Sequence, residues 1–310
     1  MIKIVVICGP TAVGKTEYSI RLAEALDAEI VSADSMQIYK YMDIGSAKPS
    51  AEELARVRHH LIGEIDPRES FSAADYQRLA SERIRDIASR GKLPVLCGGT
   101  GLYINSIVCD MDFSSPEGSG EYRDGLLREY GPEGLYERLR ELDPHAADEI
   151  HPNNVKRLVR AVERLEKGEG SIRDFKSTLR PSKEFAPVMI GLSRGREELY
   201  ERCDARVDEM FALGLEDELR SLLDMGLGRD DISMKGIGYK EIIECMDAGR
   251  PAREAAEKIK LNTRHLAKRQ FTWLRRFEDM RWIGLSGPAF EEDKLQQMIR
   301  YASEDTQQDG

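Results

Sequence analysis

Gly9-Pro10-Thr11-Ala12-Val13-Gly14-Lys15-Thr16 fits the phosphate-binding loop G-x-x-x-x-G-K-[ST] at every fixed position. Its surroundings fit too. Ile2–Cys8 is a short apolar, β-branched run that reads as a buried strand. From Lys15 to Leu26 the apolar residues Ile20, Leu22, Ala23, Ala25 and Leu26 return at helical spacing. Strand, glycine loop and helix together make a site for two linked phosphates. The glycines let the backbone curl so that successive N–H groups point inward, and the helix N-terminus adds its positive dipole. Lys15 is placed to reach the outer phosphate and the Thr16 hydroxyl a Mg2+ ion. The loop alone does not say which pyrophosphate it holds, and a nucleotide such as ATP is the default.

Working outward, Ala28–Ala33 reads as a second strand ending at Asp34. The segment Asp34–Pro49 is polar, aromatic and glycine-punctuated, as expected of a functional loop at the carboxyl end of a strand. A short helix over Ala51–Arg58 and an extended segment His59–Ile65 follow. Ser72 is a candidate N-cap for a long helix through Arg90, closed by Gly91. Leu93–Cys97 is a buried strand running into Gly98-Gly99-Thr100-Gly101, with a helix from Leu102 to Val108. Strands and helices alternate, with glycine turns after the first and third strands. That order predicts a parallel, doubly wound α/β sheet.

The pattern changes near Phe113. A Ser/Pro/Gly linker at Ser114–Gly120 leads into Glu121–Thr178, which carries helical stretches and no strand: Tyr122–Tyr130, Gly134–Leu142, Ala146–Ile150 and Val155–Lys167. The β/α pattern resumes at Phe185–Leu192. Helices over Glu197–Leu213 and Leu215–Met225, a glycine turn at Lys235–Gly238, and a helix over Tyr239–Asp247 come next. A long helix from Ala252 through Phe277 then leads to a last short strand, Arg281–Ile283. The expected organisation is a P-loop NTPase-like core over 1–112 and 185–290. Residues 113–184 form an all-helical insertion and residues 291–310 a fraying acidic tail.

With 310 residues, 41% hydrophobic and 33% charged, the chain is of ordinary globular composition. No apolar run approaches the ~18–20 residues of a membrane span, so no membrane partner is expected. The five cysteines are scattered with no C-x-x-C pair, which argues against zinc and suits reduced thiols in a cytoplasm. His59-His60 reads as a loop or strand edge. A net charge of −10 argues against a wholly basic nucleic-acid binder, but Lys258–Arg276 holds seven Lys/Arg and no acid. A local basic face on an acidic protein remains compatible with RNA.

Four features could carry chemistry. Asp34, a loop's width from the phosphate loop, is a metal-water ligand, a general base, or merely a turn aspartate. Thr100 would face the same crevice. No Asp ends the Leu93–Cys97 strand, so the apolar-run-then-acid pattern of an ordinary ATPase is missing there. Arg202 and Arg206 share a helix face, from which one could cap a pyrophosphate, while Arg196 begins the same helix. The Lys258–Arg276 helix interleaves Phe271, Trp273 and Phe277 with its charges, as an RNA face or an ordinary amphipathic helix would.

In combination these blocks resemble the bacterial tRNA dimethylallyltransferase family, the adenosine-37 isopentenyltransferases. Gly9–Thr16 is similar to its GPTAVGKT loop and Asp34–Pro49 to its D-S-x-Q-x-Y-x-x-M-x-I-G-T-A-K-P block, with Ser46 where Thr is usual. Leu96–Tyr103 resembles its GGTGLY block, Asn153–Ala161 its N-x-x-R-x-x-R-A segment, and Met234–Glu241 and Arg264–Arg276 its two C-terminal signatures. Gly236 stands where Ala is often found, and Lys167–Arg173 departs from the usual T-G-x-x-x-S form. The resemblance implies that Gly9, Pro10, Thr11, Ala12, Val13, Gly14, Lys15 and Thr16 hold the pyrophosphate of dimethylallyl diphosphate with Mg2+ on Thr16. The acceptor it implies is N6 of adenosine 37, drawn out of the stack of the tRNA anticodon stem-loop. It further implies Asp34 as base, Thr100 positioning it or the amine, and Lys15 and Arg206 on the leaving group. RNA contacts are expected from Asp34, Ser35, Met36, Gln37 and Thr100; from Lys156, Arg157, Leu158, Val159 and Arg160; from Lys235, Gly236, Ile237, Gly238, Tyr239 and Lys240; and from Lys268 and Arg269. Nothing demands more than a monomer. The rival readings are a P-loop nucleotide kinase, a nucleotide-switched RNA-binding protein, and an isopentenyltransferase of free adenylates.

Overall fold

The computed structural model describes residues 1–111, 113, 119–168, 180–287 and 290–304. The Ser114–Gly120 linker up to residue 118, most of Lys167–Arg173 and residues 305–310 lie outside that set. The chain forms two compact units, Met1–Asp110 with Ser182–Gly310, and Met111–Pro181.

The larger unit is built on six strands: β1 (Ile2–Cys8), β2 (Ala28–Ala33), β3 (His59–His60), β4 (Leu93–Gly98), β5 (Phe185–Ser193) and β6 (Arg281–Gly284). All pair in parallel, in the order β3-β2-β4-β1-β5-β6. Side chains alternate as the pleat requires. Ile4, Val6 and Cys8 of β1 enter one apolar core, and Val5 and Ile7 enter the other, so the sheet is buried on both faces. One face carries α1 (Lys15–Ala25). The other carries α3 (Ala73–Ser89), α4 (Gly101–Val108), α9 (Leu215–Asp224) and α10 (Tyr239–Asp247). The helices α8 (Arg196–Ala212) and α11 (Ala256–Leu274) contribute to both cores.

Local chemistry explains the helix starts. Ser72 caps α3 and Ser50 caps α2 (Ala51–Arg56), each in a reciprocal capping box with the third helical residue, Asp75 or Glu53. The extended segment expected over His59–Ile65 contracts to two paired residues, because Leu61 and Gly63 take positive φ and turn the chain away.

The C-terminal segment corrects the expectation of a loose tail. Glu292–Ser303 forms a helix, α12, whose Leu295, Met298 and Ala302 are buried in the core with Val5, Ile20 and Leu22. Its acidic residues face solvent while the i, i+3, i+7 apolar positions dock.

The smaller unit is helical among its described residues: α5 (Ser119–Leu142), α6 (Pro144–Glu149) and α7 (Val155–Glu166). α5 breaks at Gly131, which has φ 63°, just before Pro132. Its core gathers Leu126, Leu135, Leu139, Ala147, Leu158 and Val162. Leu158 and Val159, expected at an RNA surface, are therefore packed inside this unit; their helix turns Lys156 and Arg160 outward instead.

Candidate functional site

The phosphate-binding loop leaves the carboxyl end of β1 and enters α1 through Gly14 at φ 111°, a conformation that disfavours any side chain. Ala12 is also left-handed, at φ 63°. Two arginines brace this strained turn from outside: Arg202 Nε donates to the Ala12 carbonyl (2.8 Å) and Arg194 Nε to the Val13 carbonyl (2.9 Å). With the Ala12 and Val13 carbonyls tied to these arginines, the loop is suited to offer N–H groups to an anion.

Three sequence-expected residues converge here. Lys15 Nζ donates to the carbonyls of Gly9 (3.1 Å) and Pro10 (2.9 Å). Burial pushes its pKa down, opposed by Cys97 and by the carboxylate of Asp34. Arg206 is likewise pushed down by burial, also lies within electrostatic reach of Asp34, and contacts Thr11 Oγ1 at 3.5 Å. Asp34 at the end of β2 is thus within electrostatic reach of both cations. Its Oδ1 accepts from the N–H groups of Met36 (2.9 Å) and Gln37 (3.4 Å), an Asx-type turn that leaves Oδ2 free of them. Arg202 meets the loop backbone rather than the crevice, and Arg196 lies over the Tyr200 ring.

Thr100 joins the two strand ends. Its N–H donates to the Ala33 carbonyl (3.1 Å), and its Oγ1 accepts from the Ser35 N–H (3.1 Å). The open end of the sheet thus gathers Asp34 and Thr100, just past β2 and β4, and Lys15, which opens α1 after the loop from β1, where parallel α/β sheets hold their ligands.

Two anchors were given no role by sequence reasoning, although the first lies inside the Arg264–Arg276 block. The first is Gln270 on α11: its Oε1 accepts from the Thr11 N–H (2.8 Å), and its Nε2 donates to the Gly99 carbonyl (3.1 Å). The second is Glu218 on α9. Its Oε2 accepts from the N–H groups of Asp43 and Ile44, both at 2.7 Å, and its Oε1 from Gly45 N–H (2.9 Å) and Tyr239 Oη (2.7 Å). Glu218 thereby clamps the Asp34–Pro49 loop. No spacing rule would have found either, since the partners are far away in the chain.

Some expected RNA-contact residues are otherwise engaged. Tyr239 is fully buried, with its hydroxyl on Glu218, and so cannot present its ring to a nucleic acid. The Gln37 amide donates to the Ala47 carbonyl (3.0 Å), tying the loop to itself. Gly236 and Gly238 are buried, Ile237 and Met36 half-buried, and Lys235 and Lys240 exposed. The basic helix is also narrower than its sequence suggests. Lys258, Lys260 and Arg264 pair with Glu244, Asp208 and Asp204 from α8 and α10. Lys268 and Arg269 are exposed without an acidic partner among the described residues. With His265, Thr272, Trp273 and Arg276 they line a concavity of about 460 Å³. Arg276 lies over the Trp273 ring, 4.8 Å from its centroid.

A family model described as IPP transferase matches residues 37–277. A protein of Alkaliphilus oremlandii named tRNA dimethylallyltransferase is 47% identical over 287 residues, covering 92% of each chain. The crystal structure of the full-length tRNA isopentenylpyrophosphate transferase from Bacillus halodurans superposes with a TM-score of 0.72 at 41% identity, covering 97% of this chain and 95% of that one. A eukaryotic dimethylallyltransferase solved acting on tRNA gives a TM-score of 0.78 at 26% identity, over 92% of this chain and 74% of that one. By matches of this extent, the chain belongs to the IPP transferase family, prenyltransferase enzymes whose curated members carry the name tRNA dimethylallyltransferase.

Proposed function

We propose that this chain transfers the dimethylallyl group of dimethylallyl diphosphate to N6 of adenosine 37 in the anticodon stem-loop of tRNA, releasing pyrophosphate. The observation that carries this reading is that Asp34 and Thr100, linked through Ser35, stand just past β2 and β4 beside a phosphate-binding loop that holds Lys15 and touches Arg206, at a sheet where β4 runs into glycines rather than an acid.

As N6 bonds to C1 of the prenyl chain, the C1–O bond breaks and its electrons pass to the diphosphate. That growing charge is met by the loop N–H groups, by Lys15 turning from the Gly9 and Pro10 carbonyls, and by Arg206. The amine loses a proton, which Asp34 accepts on the carboxylate oxygen outside the Asx turn. Thr100 holds Ser35, and with it the turn that orients Asp34. Mg2+ suits the donor set: the Thr16 hydroxyl stands at the first turn of α1, beside the loop. A cation held mainly by substrate oxygens and water needs no more. When bound, it neutralises charge on the leaving pyrophosphate.

RNA would be gripped by exposed cations: Lys235, Lys240, Lys268 and Arg269 on the larger unit, and Lys156 and Arg160 on the smaller one. The enzyme works as a monomer in this reading. To test it, unmodified tRNA is incubated with the protein, dimethylallyl diphosphate and Mg2+, then digested. N6-(dimethylallyl)adenosine from position 37, absent when that base is guanosine, is the expected product. Phosphate transfer from ATP without a prenylated base would favour the kinase reading.

A further inference from the structure

The two glycine loops at the head of the sheet have different tasks in the transferase reading: one grips the leaving group, and the other carries Thr100 on the acceptor side. They approach each other closely, and what lies between them is the side chain of Gln270. Its amide is used at both ends on backbone, accepting from Thr11 N–H at 2.8 Å and donating to Gly99 O at 3.1 Å. Both polar atoms are thus engaged with backbone, one loop at each end. The fit is tight: a Cβ on Gly99 would stand 2.4 Å from Gln270 Nε2. One helical turn further along, a Cβ on Gly101 would stand 2.1 Å from the Trp273 ring, so α11 presses two consecutive turns onto the same loop. The helix is itself fixed to the catalytic side by the Arg264–Asp204 ion pair with α8, the helix that supplies Arg202 and Arg206.

We propose that Gln270 is a positioning residue for prenyl transfer: its amide sets the spacing of the pyrophosphate loop against the Gly98–Gly101 loop, and hence the alignment of C1 with N6, a role that rests on the transferase reading. A primary amide is the group this position needs. It presents an acceptor to one loop and a donor to the other, and its length spans both. A Glu carboxylate would keep the bond from Thr11 but turn an oxygen against the Gly99 carbonyl. Asn is one methylene too short to reach both loops. Met fills the volume with neither bond.

The test uses the full chain and the variants Gln270→Glu, Gln270→Asn and Gln270→Met. Three quantities are measured: dissociation constants for inorganic pyrophosphate and for unmodified tRNA, thermal midpoints, and the single-turnover rate of a preassembled complex with dimethylallyl diphosphate and Mg2+. Misalignment of bound reactants should slow the single-turnover rate about 10- to 100-fold in all three variants. Both dissociation constants should stay within about threefold of the parent. A residue that only supports the fold would lower the midpoint and leave the rate of folded protein unchanged. Single-turnover rates within about threefold of the parent, or losses matched by equally weakened binding, overturn the proposal. Should Gln270→Glu fail to fold, the volume-conserving Gln270→Met decides the matter on the same criteria. A parent enzyme that forms no prenylated tRNA would instead sink the transferase reading, and this role with it.

Discussion

Replacing Glu218 by Gln perturbs the Asp34–Pro49 loop without touching the crevice. The carboxylate of Glu218 satisfies three successive backbone N–H groups, of Asp43, Ile44 and Gly45, and the hydroxyl of Tyr239, at 2.7–2.9 Å. A glutamine has one acceptor oxygen and one NH2 where the native residue has two acceptors. In the better of its two orientations the oxygen keeps Asp43 and Ile44, and Tyr239 rotates its hydroxyl to accept from the NH2. The Gly45 N–H is then left facing a donor, and the retained bonds are no longer charge-assisted. With hydrogen bonds to charged groups at roughly 1.5–3 kcal/mol each, one lost and others weakened should cost about 2–3 kcal/mol. Tyr239→Phe removes a single bond and leaves the carboxylate its three backbone donors, so it should cost about 1.5 kcal/mol. Urea unfolding of the two single variants and the double variant measures both costs and their coupling, which should be strongly non-additive because they share one bond. Because the clamped loop begins at Asp34, Glu218→Gln should also lower transfer more than it weakens pyrophosphate binding. A Glu218→Gln protein within about 0.5 kcal/mol of the parent would refute the clamp, since that is the scatter of an ordinary surface change.

Three further outcomes follow from particular contacts. Asp34→Asn keeps the acceptor for the Met36 and Gln37 N–H groups, so tRNA affinity should hold while the transfer rate falls by about 10²–10⁴-fold, the usual worth of a general base; near-normal turnover would remove Asp34 from that role. Neutralising Lys268 and Arg269 together should weaken tRNA binding and lower the salt slope by about 1.5–2, and an unchanged slope in filter-binding titrations would count against the C-terminal half of α11 as an RNA face. At the far edge of the sheet, the Arg90 guanidinium, reinforced by His60, holds Glu29 down at a pKa of about 2. Its folded pKa lies below the unfolded value near 4.5, so its contribution is complete above that pH and fades as pH falls toward 2. The amount at stake is on the order of 3 kcal/mol, and urea midpoints recorded from neutral pH down to about 3 should fall less steeply for Glu29→Gln than for the parent.

The parts of this molecule legible in its sequence are those written in local chemistry. Periodicity located β1, β2, α1 and α3 because burial on a sheet face and capping by Ser72 are decided by adjacent residues. What escaped is held by side chains reaching across the fold. Glu218 looks like any half-exposed polar residue of a helix, and Gln270, though inside the Arg264–Arg276 block, shows no role until the loops they bind are in place. The acid-free run Lys258–Arg276 was misleading for the same reason: its first cations are neutralised by Asp204, Asp208 and Glu244, which lie on other helices. Two corrections were within reach of pattern alone. Leu158 and Val159 occupy the apolar stripe of α7 with Ala161 and Val162, and Leu295, Met298 and Ala302 mark α12 at helical spacing inside an acidic segment.

The central claim is that the Gly9–Thr16 loop holds a leaving pyrophosphate rather than a nucleotide. Its most direct measurement is a nucleotide-free reaction of the protein with tRNA, Mg2+ and dimethylallyl diphosphate labelled at C1, counting label in tRNA and pyrophosphate released. One pyrophosphate for each prenyl group, at a rate indifferent to added ATP except as a competitor, is the expected result. A requirement for ATP, or phosphate appearing on an acceptor in place of label on tRNA, would contradict it.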